Sequence, residues 1–232
     1  MNDALIIFAR MGSSRLPGKP LIDIEGRSLL GRVLDRSRRV RHADKVIIAT
    51  SSESDDDAIA NFAEFEGVAV YRGALEDVAA RALACAEAFG VDRFARVCGD
   101  RPFFDPEIVD RLFKMHGKSR ADLATNVAEK TFPAGATAEI ITTEALRKVL
   151  SMTRSSSDRE HVTSYFYSHP EQFAIVNLKS EGIDHRDVSL VVDNEDDLKR
   201  ARFIARVLGD ESSRAGLNVV IELARKWYLE QN

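Results

Sequence analysis

Short apolar runs alternate with longer amphipathic segments along the first 127 residues of the chain. Residues 122–127 are predicted to form a fifth strand, and the apolar runs before it occupy residues 5–8, 46–49, 68–71 and 94–98. Each has the length and composition of a strand buried on both faces, which is typical of a parallel sheet. The segments between them predict helices that begin near Ser28, Ser54, Glu76 and Pro106. This alternation predicts an α/β fold with a doubly wound, mostly parallel sheet.

The pattern is less regular from residue 131 to residue 177. It predicts an extended segment over 138–142, a helix over 143–150, a helix from Asp158 to near His169, and a strand over 173–178. This region is predicted to be a subdomain or arm laid against the main sheet. A buried strand over 188–192, a helix capped by Asn194 and a last helix over about 213–229 are predicted to follow. We find no linker or internal repeat, so residues 1–232 are predicted to form one domain.

A basic loop containing glycines follows the first apolar run. It carries Arg10, Gly12, Ser13, Ser14, Arg15, Gly18 and Lys19. Glycines let backbone N–H groups approach an anion closely, and the cations supply the charge that a triphosphate needs. It is not a Walker A loop, because five residues separate Gly12 from Gly18 and Pro20 stands where a hydroxyl is required. The G-x-G-x-x-G pattern is also absent after this strand, so the loop predicts a nucleotide site of another kind.

Further polar residues follow the other predicted strands. Ligands of open α/β sheets bind at the carboxyl ends of the strands, which places Thr50, Arg72 and Asp100 along one crevice with the loop. Asp193 follows the apolar run at 188–192. Two carboxylates that face one crevice are a common way to hold Mg²⁺ against a phosphate chain. An acidic residue beside a helix start is also a common part of a helix cap, so both interpretations of Asp193 stay open.

Composition and charge limit the kinds of molecule that the protein is expected to bind. The formal charge of −4 and a pI near 5.8 give no reason to expect a nucleic acid or a membrane as partner. Cys85 and Cys98 lack the spacing of a metal or redox motif, which predicts free thiols in a cytoplasmic protein. The acidic run 55–57 is predicted to open the second helix, where negative charge suits the helix dipole, so it is not interpreted as a metal site.

Four segments resemble a known family in the same order and spacing. They are ARMGSSRLPGKPL, RVCGDRPFFDPEIVD, REHVTSYFYSHPEQF and VVDNEDDL. Together they resemble the cytidylyltransferases that make CMP-activated acidic sugars, with greatest similarity to the spore-coat polysaccharide type. The 3-deoxy-manno-octulosonate and acylneuraminate types are more distantly similar. The resemblance implies a nucleotide-diphospho-sugar transferase fold, glycosyltransferase-A-like, with a small dimerisation arm. It further implies a homodimer that uses CTP, Mg²⁺ and a small acidic sugar and releases pyrophosphate.

The resemblance also assigns roles to individual residues. Backbone groups of residues 12–14 would hold the triphosphate, while Asp100 and Asp193 would hold the metal. The implied catalytic residues are Lys19, Arg15 and Asp100. The implied nucleotide-binding residues are Ala9, Arg10, Gly12, Ser13, Ser14, Arg15, Lys19, Thr50, Arg72 and Cys98.

The chain departs from the family pattern at two places. Cys98 stands where octulosonate relatives have a glutamine that reads cytosine, and a thiol lacks the paired donor and acceptor of that amide. Base recognition is therefore expected to use the backbone near Ala9 together with Thr50 or Arg72. Residues 133–139 are PAGATAE, where the spore-coat type usually has Pro-Asp-Gly-x-Asp-x-Glu. The acceptor-binding residues that remain are Glu139, Arg159, Glu160 and His161.

Several alternatives stay open at this point. The missing carboxylates are compatible with a different acceptor or with a weakened, non-catalytic nucleotide-binding homologue, and Cys98 with a nucleotide other than CTP. The arm is expected to form the dimer interface, because the neighbouring aromatic residues Tyr165, Phe166 and Tyr167 are of a type enriched at interfaces. The same side chains are equally typical of a core.

Overall fold

The central element is a mixed β-sheet, and the first strand of the chain is fully buried within it. The computed structural model describes residues 1–180 and 185–231. The strands within these residues are β1 (Asp3–Phe8), β2 (Asp23–Ile24), β3 (Arg27–Ser28), β4 (Lys45–Ser51), β5 (Ala69–Gly73), β6 (Arg93–Cys98), β7 (Leu123–Thr125), β8 (Glu139–Thr142) and β9 (Ile175–Asn177). The α-helices are α1 (Leu29–Ser37), α2 (Asp57–Phe65), α3 (Val78–Ala88), α4 (Pro106–Ser119), α5 (Thr143–Met152), α6 (Ser156–Glu160), α7 (Ser164–Ser168), α8 (Glu195–Leu208) and α9 (Leu217–Gln231).

The strand order in the main sheet is β5-β4-β1-β6-β8-β7-β9. The first four of these strands are parallel to one another. Strand β8 runs antiparallel to both of its neighbours, while β7 and β9 are parallel. The sheet is therefore mostly parallel, as the sequence predicts, and the carboxyl ends of β4, β1 and β6 lie side by side. The short strands β2 and β3 form a separate hairpin.

Helices cover both faces of this sheet. Leu5 and Ile7 of β1 pack with α1, α2 and α4, whereas Ala4 and Ile6 pack on the opposite face with α3, α5 and α7. A third apolar cluster joins α8 and α9 to the β2–β3 hairpin and contains Leu16 of the basic loop. Alternate residues of β1 thus face different helix layers, as expected of a strand with no exposed face. The prediction of a doubly wound sheet is confirmed.

The helix starts agree with the caps that the sequence contains. Ser28 accepts a hydrogen bond from the Gly31 N–H at the start of α1. Asp105 caps α4, where Pro106 occupies the first turn. Asn194 caps α8 by accepting hydrogen bonds from the N–H groups of the first turn. These side chains satisfy N–H groups that have no partner inside their own helix. Within the described ranges 1–180 and 185–231, no helix is long and apolar enough to span a bilayer.

Three predicted elements are corrected by the structure. The predicted strand over 188–192 forms only an isolated bridge between Ala134 and Ser189. Its backbone instead bonds to two separate loops, because the Leu190 N–H donates to the Ala134 carbonyl and the Val192 N–H donates to the Asp100 carbonyl. The single helix predicted from Asp158 to near His169 is instead the two short helices α6 and α7. The last helix begins at Leu217 rather than at residue 213, since residues 209–213 form a 3₁₀ turn.

A side-chain cluster explains the break between α6 and α7. The carboxylate of Asp158 accepts hydrogen bonds from the hydroxyls of Thr153 and Ser164. Such side-chain bonds stabilise a turn in competition with a continuous helix. His161 has the non-helical backbone angles φ −104 and ψ 78 and ends α6. Tyr165 and Phe166 of α7 belong to the core.

Candidate active site

A cavity of about 410 Å³ opens at the carboxyl ends of β1 and β6. The cations that line it come from the basic loop, from α3 and from β6, and the acidic groups come from three separate segments. The lining residues are Phe8, Ala9, Arg10, Gly12, Ser13, Ser14, Arg15, Lys19, Pro20, Val78, Arg81, Arg96, Cys98, Gly99, Asp100, Glu160, His161 and Asp193. The structure therefore brings most of the predicted site residues to one place.

The basic loop begins where β1 ends and is fixed at both ends. At its start, the Ala9 N–H donates to the Ala49 carbonyl at the end of β4. At its far end, Leu16 is buried in the third apolar cluster, and Gly18 has a left-handed φ of 70. A residue with a side chain is strained in that conformation, so glycine is required at the turn before Lys19. The loop holds exposed backbone and cations at the cavity between two anchored ends.

Two carboxylates from distant parts of the chain meet at one ammonium group. Lys19 Nζ lies 3.3 Å from Asp100 Oδ2 and 2.9 Å from Asp193 Oδ1. Arg15 is a further neighbour, with Nη2 3.4 Å from Asp193 Oδ2. Asp193 does not supply the cap of α8, which comes from Asn194, so its side chain is free to reach Lys19. Opposite charges cluster here at positions that solvent still reaches.

The close approach of β6 to β1 places Asp100 beside the loop. The Gly99 N–H donates to the Phe8 carbonyl at 2.8 Å. A Cβ at position 99 would lie 3.0 Å from the Ala9 Cβ and 3.2 Å from the Phe8 oxygen. The absence of a side chain at Gly99 therefore lets the two strand ends touch, which aligns Asp100 with Lys19.

The two carboxylates have the donor chemistry that a hard divalent cation requires. Carboxylate oxygens are preferred ligands of Mg²⁺ and similar ions. Asp100 and Asp193 both line the cavity, and both already contact a positive charge in the form of Lys19. Among residues 1–180 and 185–231, no group of three or more His, Cys, Asp or Glu residues is arranged to hold a metal. These two residues fit a metal whose remaining ligands come from a substrate or from water.

Two arginines of the cavity were missed by the sequence analysis. Arg81, in α3, is buried and donates hydrogen bonds to the carbonyls of Ala74 and Leu75. Burial lowers the pKa of Arg81. Arg96 lies within β6 and donates to Glu139 Oε2 at 2.8 Å. Burial acts to lower the pKa of Arg96, but the nearby Cys98 and Glu139 more than offset it and the net pKa is raised. An arginine inside an otherwise apolar strand, as in the sequence FARVC, is the signal that could have identified Arg96.

Two predicted base-binding residues lie outside the cavity. Thr50 is completely buried at the end of β4. Arg72 donates to the carbonyls of Ser51 and Glu53 and forms an ion pair with Asp57 at 2.6 Å. Neither residue is among those that line the cavity. The cavity instead presents Ala9 and Cys98 from the predicted nucleotide-binding set, together with Arg81.

The sequence model of the cytidylyltransferase family matches residues 4–226. The chain belongs to the cytidylyltransferase family. The predicted resemblance is thereby confirmed, and the matched range includes the basic loop, both carboxylates and, apart from Asp3 of β1, all strands of the main sheet.

Individual relatives agree with this assignment. The spore coat polysaccharide biosynthesis protein SpsF of Bacillus subtilis is 30% identical over 233 residues, which cover 97% of this chain and 95% of that protein. The structure of a cytidylyltransferase from Leptospira borgpetersenii superposes with a TM-score of 0.91 at 29% identity and covers 97% and 94% of the two chains. A CMP:2-keto-3-deoxy-manno-octonic acid synthetase complexed with CTP gives 0.69 at 18% identity, covering 89% and 99%. The last comparison shows a common fold.

In this cytidylyltransferase, the residues predicted to bind the acceptor divide into two pairs. Glu160 and His161 line the cavity, and Glu160 Oε1 lies 3.9 Å from Arg10 Nη2. Arg159 instead forms an ion pair with Asp77 at the start of α3. Glu139 is buried and does not line the cavity.

Both oxygens of Glu139 already have partners. Its Oε1 accepts from the Tyr167 hydroxyl at 2.6 Å, and its Oε2 accepts from Arg96. The Tyr167 hydroxyl also lies 2.8 Å from Thr125 Oγ1. Burial raises the pKa of Tyr167, and the charge of Glu139 raises it further. Glu139 therefore holds a neutral phenol and a guanidinium in place behind the cavity wall.

Proposed function

We propose that this cytidylyltransferase transfers CMP from CTP to an acidic sugar or a related acceptor and releases pyrophosphate. An acceptor oxygen forms a bond to the α-phosphorus, and the bond from that phosphorus to the oxygen bridging to the β-phosphate breaks. The acceptor hydroxyl gives up its proton, and the electron pair of the broken bond leaves with pyrophosphate. Such a step depends mainly on positioning and on neutralising charge.

The observation that carries this proposal is the position of Lys19 between Asp100 and Asp193 beside the basic loop. Lys19, Arg10 and Arg15 supply cations on one wall of the cavity, where a triphosphate carries its charge. Residues 12–14 line the same cavity, and their backbone N–H groups are assigned to the phosphates. Held by these groups, the phosphates require no covalent assistance from the protein.

We assign the metal site to Asp100 and Asp193 and the ion to Mg²⁺. When bound, the ion would neutralise charge on the phosphates and on the departing pyrophosphate. The carboxylates would orient it, and Lys19 would remain close to the same phosphates. Ala9 and Cys98 are assigned to the nucleoside end of CTP. Glu160 and His161 are assigned to the acceptor, because both line the same cavity and come from a segment other than the basic loop.

The cellular context follows the family. The Bacillus subtilis relative is a spore coat polysaccharide biosynthesis protein, which supports a similar role for this chain. We infer a cytoplasmic homodimer in which the region 131–177, as an arm of the single domain, forms the interface. Light scattering at micromolar concentration measures the oligomeric state, and a monomer would contradict the dimer.

Pyrophosphate release tests the activity directly. Each of the four nucleoside triphosphates is offered with Mg²⁺ and a panel of acidic sugars that includes 3-deoxy-manno-octulosonate and N-acetylneuraminate. We expect release with CTP and one class of acidic acceptor. Equal rates with all four nucleotides would contradict cytidine specificity. Nucleotide binding without release, over an extended panel of acids, would favour a non-catalytic homologue.

A further inference from the structure

Only the middle residue of the acidic run 55–57 is buried. Asp56 is 2% exposed, whereas Asp55 and Asp57 are exposed at the surface. Asp57 is paired with Arg72. A buried carboxylate is costly unless it is hydrogen-bonded, so its partners indicate what it does. The helix-start role expected for the run does not account for this burial, because Asp56 makes no side-chain cap bond in α2.

Both oxygens of Asp56 accept hydrogen bonds from outside the acidic run. Oδ1 accepts from the Met11 N–H at 2.6 Å. Oδ2 accepts from the Ser51 N–H at 3.0 Å and from the Ser51 hydroxyl at 2.5 Å. Burial acts to raise the pKa of Asp56, but the hydrogen bonds from Met11 and Ser51 outweigh it, and the net pKa is lowered. The carboxylate is therefore ionised at neutral pH and binds the end of β4 to the basic loop.

The bond to Met11 acts at the part of the loop that faces the cavity. Met11 lies between Arg10 and Gly12, which both line the cavity. The loop is anchored at Ala9 and again at Leu16. Between these anchors, the Met11 N–H bond is the one hydrogen bond from the loop backbone to a residue outside the loop that the described residues contain. Without it, about six residues would span the cavity edge with no backbone connection to the sheet.

We propose that Asp56 is a positioning residue, which holds the backbone at Met11 so that Arg10 and Gly12 are presented to the nucleotide phosphates. It touches neither substrate nor metal and acts through the loop. The part of this inference that concerns phosphates depends on the proposed function, whereas the tether itself does not. Because the bond has a charged acceptor, its loss is expected to weaken nucleotide binding by about tenfold.

The first experiment measures the tether without any ligand. In Asp56→Asn, one of the two acceptor oxygens is replaced by an amide group that faces an N–H donor. Asp55→Asn makes the same chemical change at the exposed neighbour. Hydrogen exchange of a peptide spanning residues 9–15 is followed by mass spectrometry. We expect faster exchange at Met11 in Asp56→Asn and wild-type exchange in Asp55→Asn. Equal exchange in both variants would overturn the proposal.

The second experiment separates positioning from local stability. Ser51→Ala removes the hydroxyl bond to Asp56 Oδ2 but leaves the Met11 bond intact. We expect Asp56→Asn to raise the KM for CTP about tenfold with kcat changed less than about threefold. Ser51→Ala is expected to lower the melting temperature with KM unchanged. Equal rises of KM in the two variants would assign the effect to local stability and overturn the proposal. If the wild type binds no nucleotide, the proposed function fails, and the exchange result still decides the tether.

Discussion

The two sides of the cavity hold their charges in different ways. The nucleotide side is defined here by Arg10, Arg15, Lys19, Asp100 and Asp193. The acceptor side is defined by Arg96, Glu160 and His161, which line the cavity, and by Glu139 and Arg159, which do not. On the nucleotide side, Lys19 and Arg15 form ion pairs with partly exposed carboxylates that line the cavity. Arg10 lies 3.9 Å from Glu160 of the acceptor side. On the acceptor side, Glu139 and Arg159 are committed to partners in the body of the protein.

This difference separates charges that can change partner from charges that cannot. Exposed ion pairs contribute little to stability, so Lys19 and its carboxylates can exchange contacts with a ligand at small cost. The pair of Glu139 with Arg96 is shielded, and removing one partner leaves the other buried without compensation. Substitutions on the nucleotide side should therefore reduce activity with little loss of stability. On the acceptor side, stability should fall as well.

The largest effect is expected for Lys19→Met. This change removes the cation shared by Asp100 and Asp193, and kcat/KM for pyrophosphate release should fall by about 10²–10³-fold. Arg15→Met provides the comparison, because the Arg15 side chain is 68% exposed and its ion pair is with Asp193. Its loss should be nearer tenfold. Steady-state assays of both variants decide the point, and equal losses would contradict the central position of Lys19.

The next effect concerns the metal. Asp193→Asn removes a charge that holds Lys19 and, in our proposal, Mg²⁺. The Mg²⁺ concentration for half-maximal activity should rise by at least about tenfold, since changes to metal surroundings have effects of this size. Asp196→Asn alters a carboxylate in the first turn of α8 that pairs with Lys199. That variant should keep the wild-type profile. An unchanged Mg²⁺ profile for Asp193→Asn would remove this residue from the metal site.

A residue away from both sides should control part of the pH dependence of stability. Burial, with a contribution from Arg93, lowers the pKa of His116 to about 4 from 6.5. The unfolded chain therefore takes up the proton first as the pH falls. The contribution of His116 to the free energy of unfolding is therefore complete above pH 6.5. It falls by about 3 kcal/mol as the pH is lowered to 4. Urea denaturation at both ends of this range should show a smaller loss for His116→Gln. Identical pH dependence in the two proteins would contradict the shifted pKa.

A smaller effect is expected on the acceptor side. Glu139→Gln places an amide against Tyr167 and leaves Arg96 without its counter-charge. The free energy of unfolding should fall by about 1–2 kcal/mol, as for a damaged buried hydrogen bond. The affinity for CTP should change less than about threefold. Urea denaturation and calorimetry measure the two quantities, with Tyr167→Phe as a comparison that removes only the hydroxyl. A large loss of CTP affinity without loss of stability would contradict the division into two sides.

The smallest effect is expected for Arg72→Met. Arg72 binds the carbonyls of Ser51 and Glu53 away from the cavity. Its loss should change CTP affinity by less than about threefold, because exposed ion pairs contribute little. Arg81→Met removes a buried cation from the cavity wall and should weaken CTP binding by more. Calorimetry of the two variants tests this order, and the reverse order would restore Arg72 as a base-binding residue.

Local patterns explain why the fold was largely predictable. Apolar runs of four to six residues with helices between them specify a layered α/β sheet, and caps such as Ser28 and Asn194 mark the helix starts. The basic loop was recognisable because its glycines and cations are consecutive in sequence. Strand direction was not predictable from such patterns, so the antiparallel pairing of β8 had no local signal.

The remaining differences between the predicted and the observed site arise from the direction in which individual side chains point in the folded protein. Arg72 and Arg81 both lie near the carboxyl ends of strands, but Arg72 turns toward backbone carbonyls outside the cavity and Arg81 turns into its wall. Asp56 differs from its two neighbours only in its position on the turn. The direction of each arginine side chain and the burial of Asp56 depend on packing partners that are distant in sequence, and a single sequence does not indicate those partners.

The central position of β1 has a consequence for synthesis on the ribosome. Its neighbours in the sheet are β4, which ends at Ser51, and β6, which ends at Cys98. The ribosome adds roughly 5–20 residues per second. Strand β4 is therefore complete several seconds after β1, and β6 is complete on the order of ten seconds after β1. During that time an apolar segment that later has no exposed face is available to other chains. Chaperone binding to the nascent chain should therefore be strongest before residue 98 leaves the exit tunnel, and slower translation of residues 52–98 should increase aggregation.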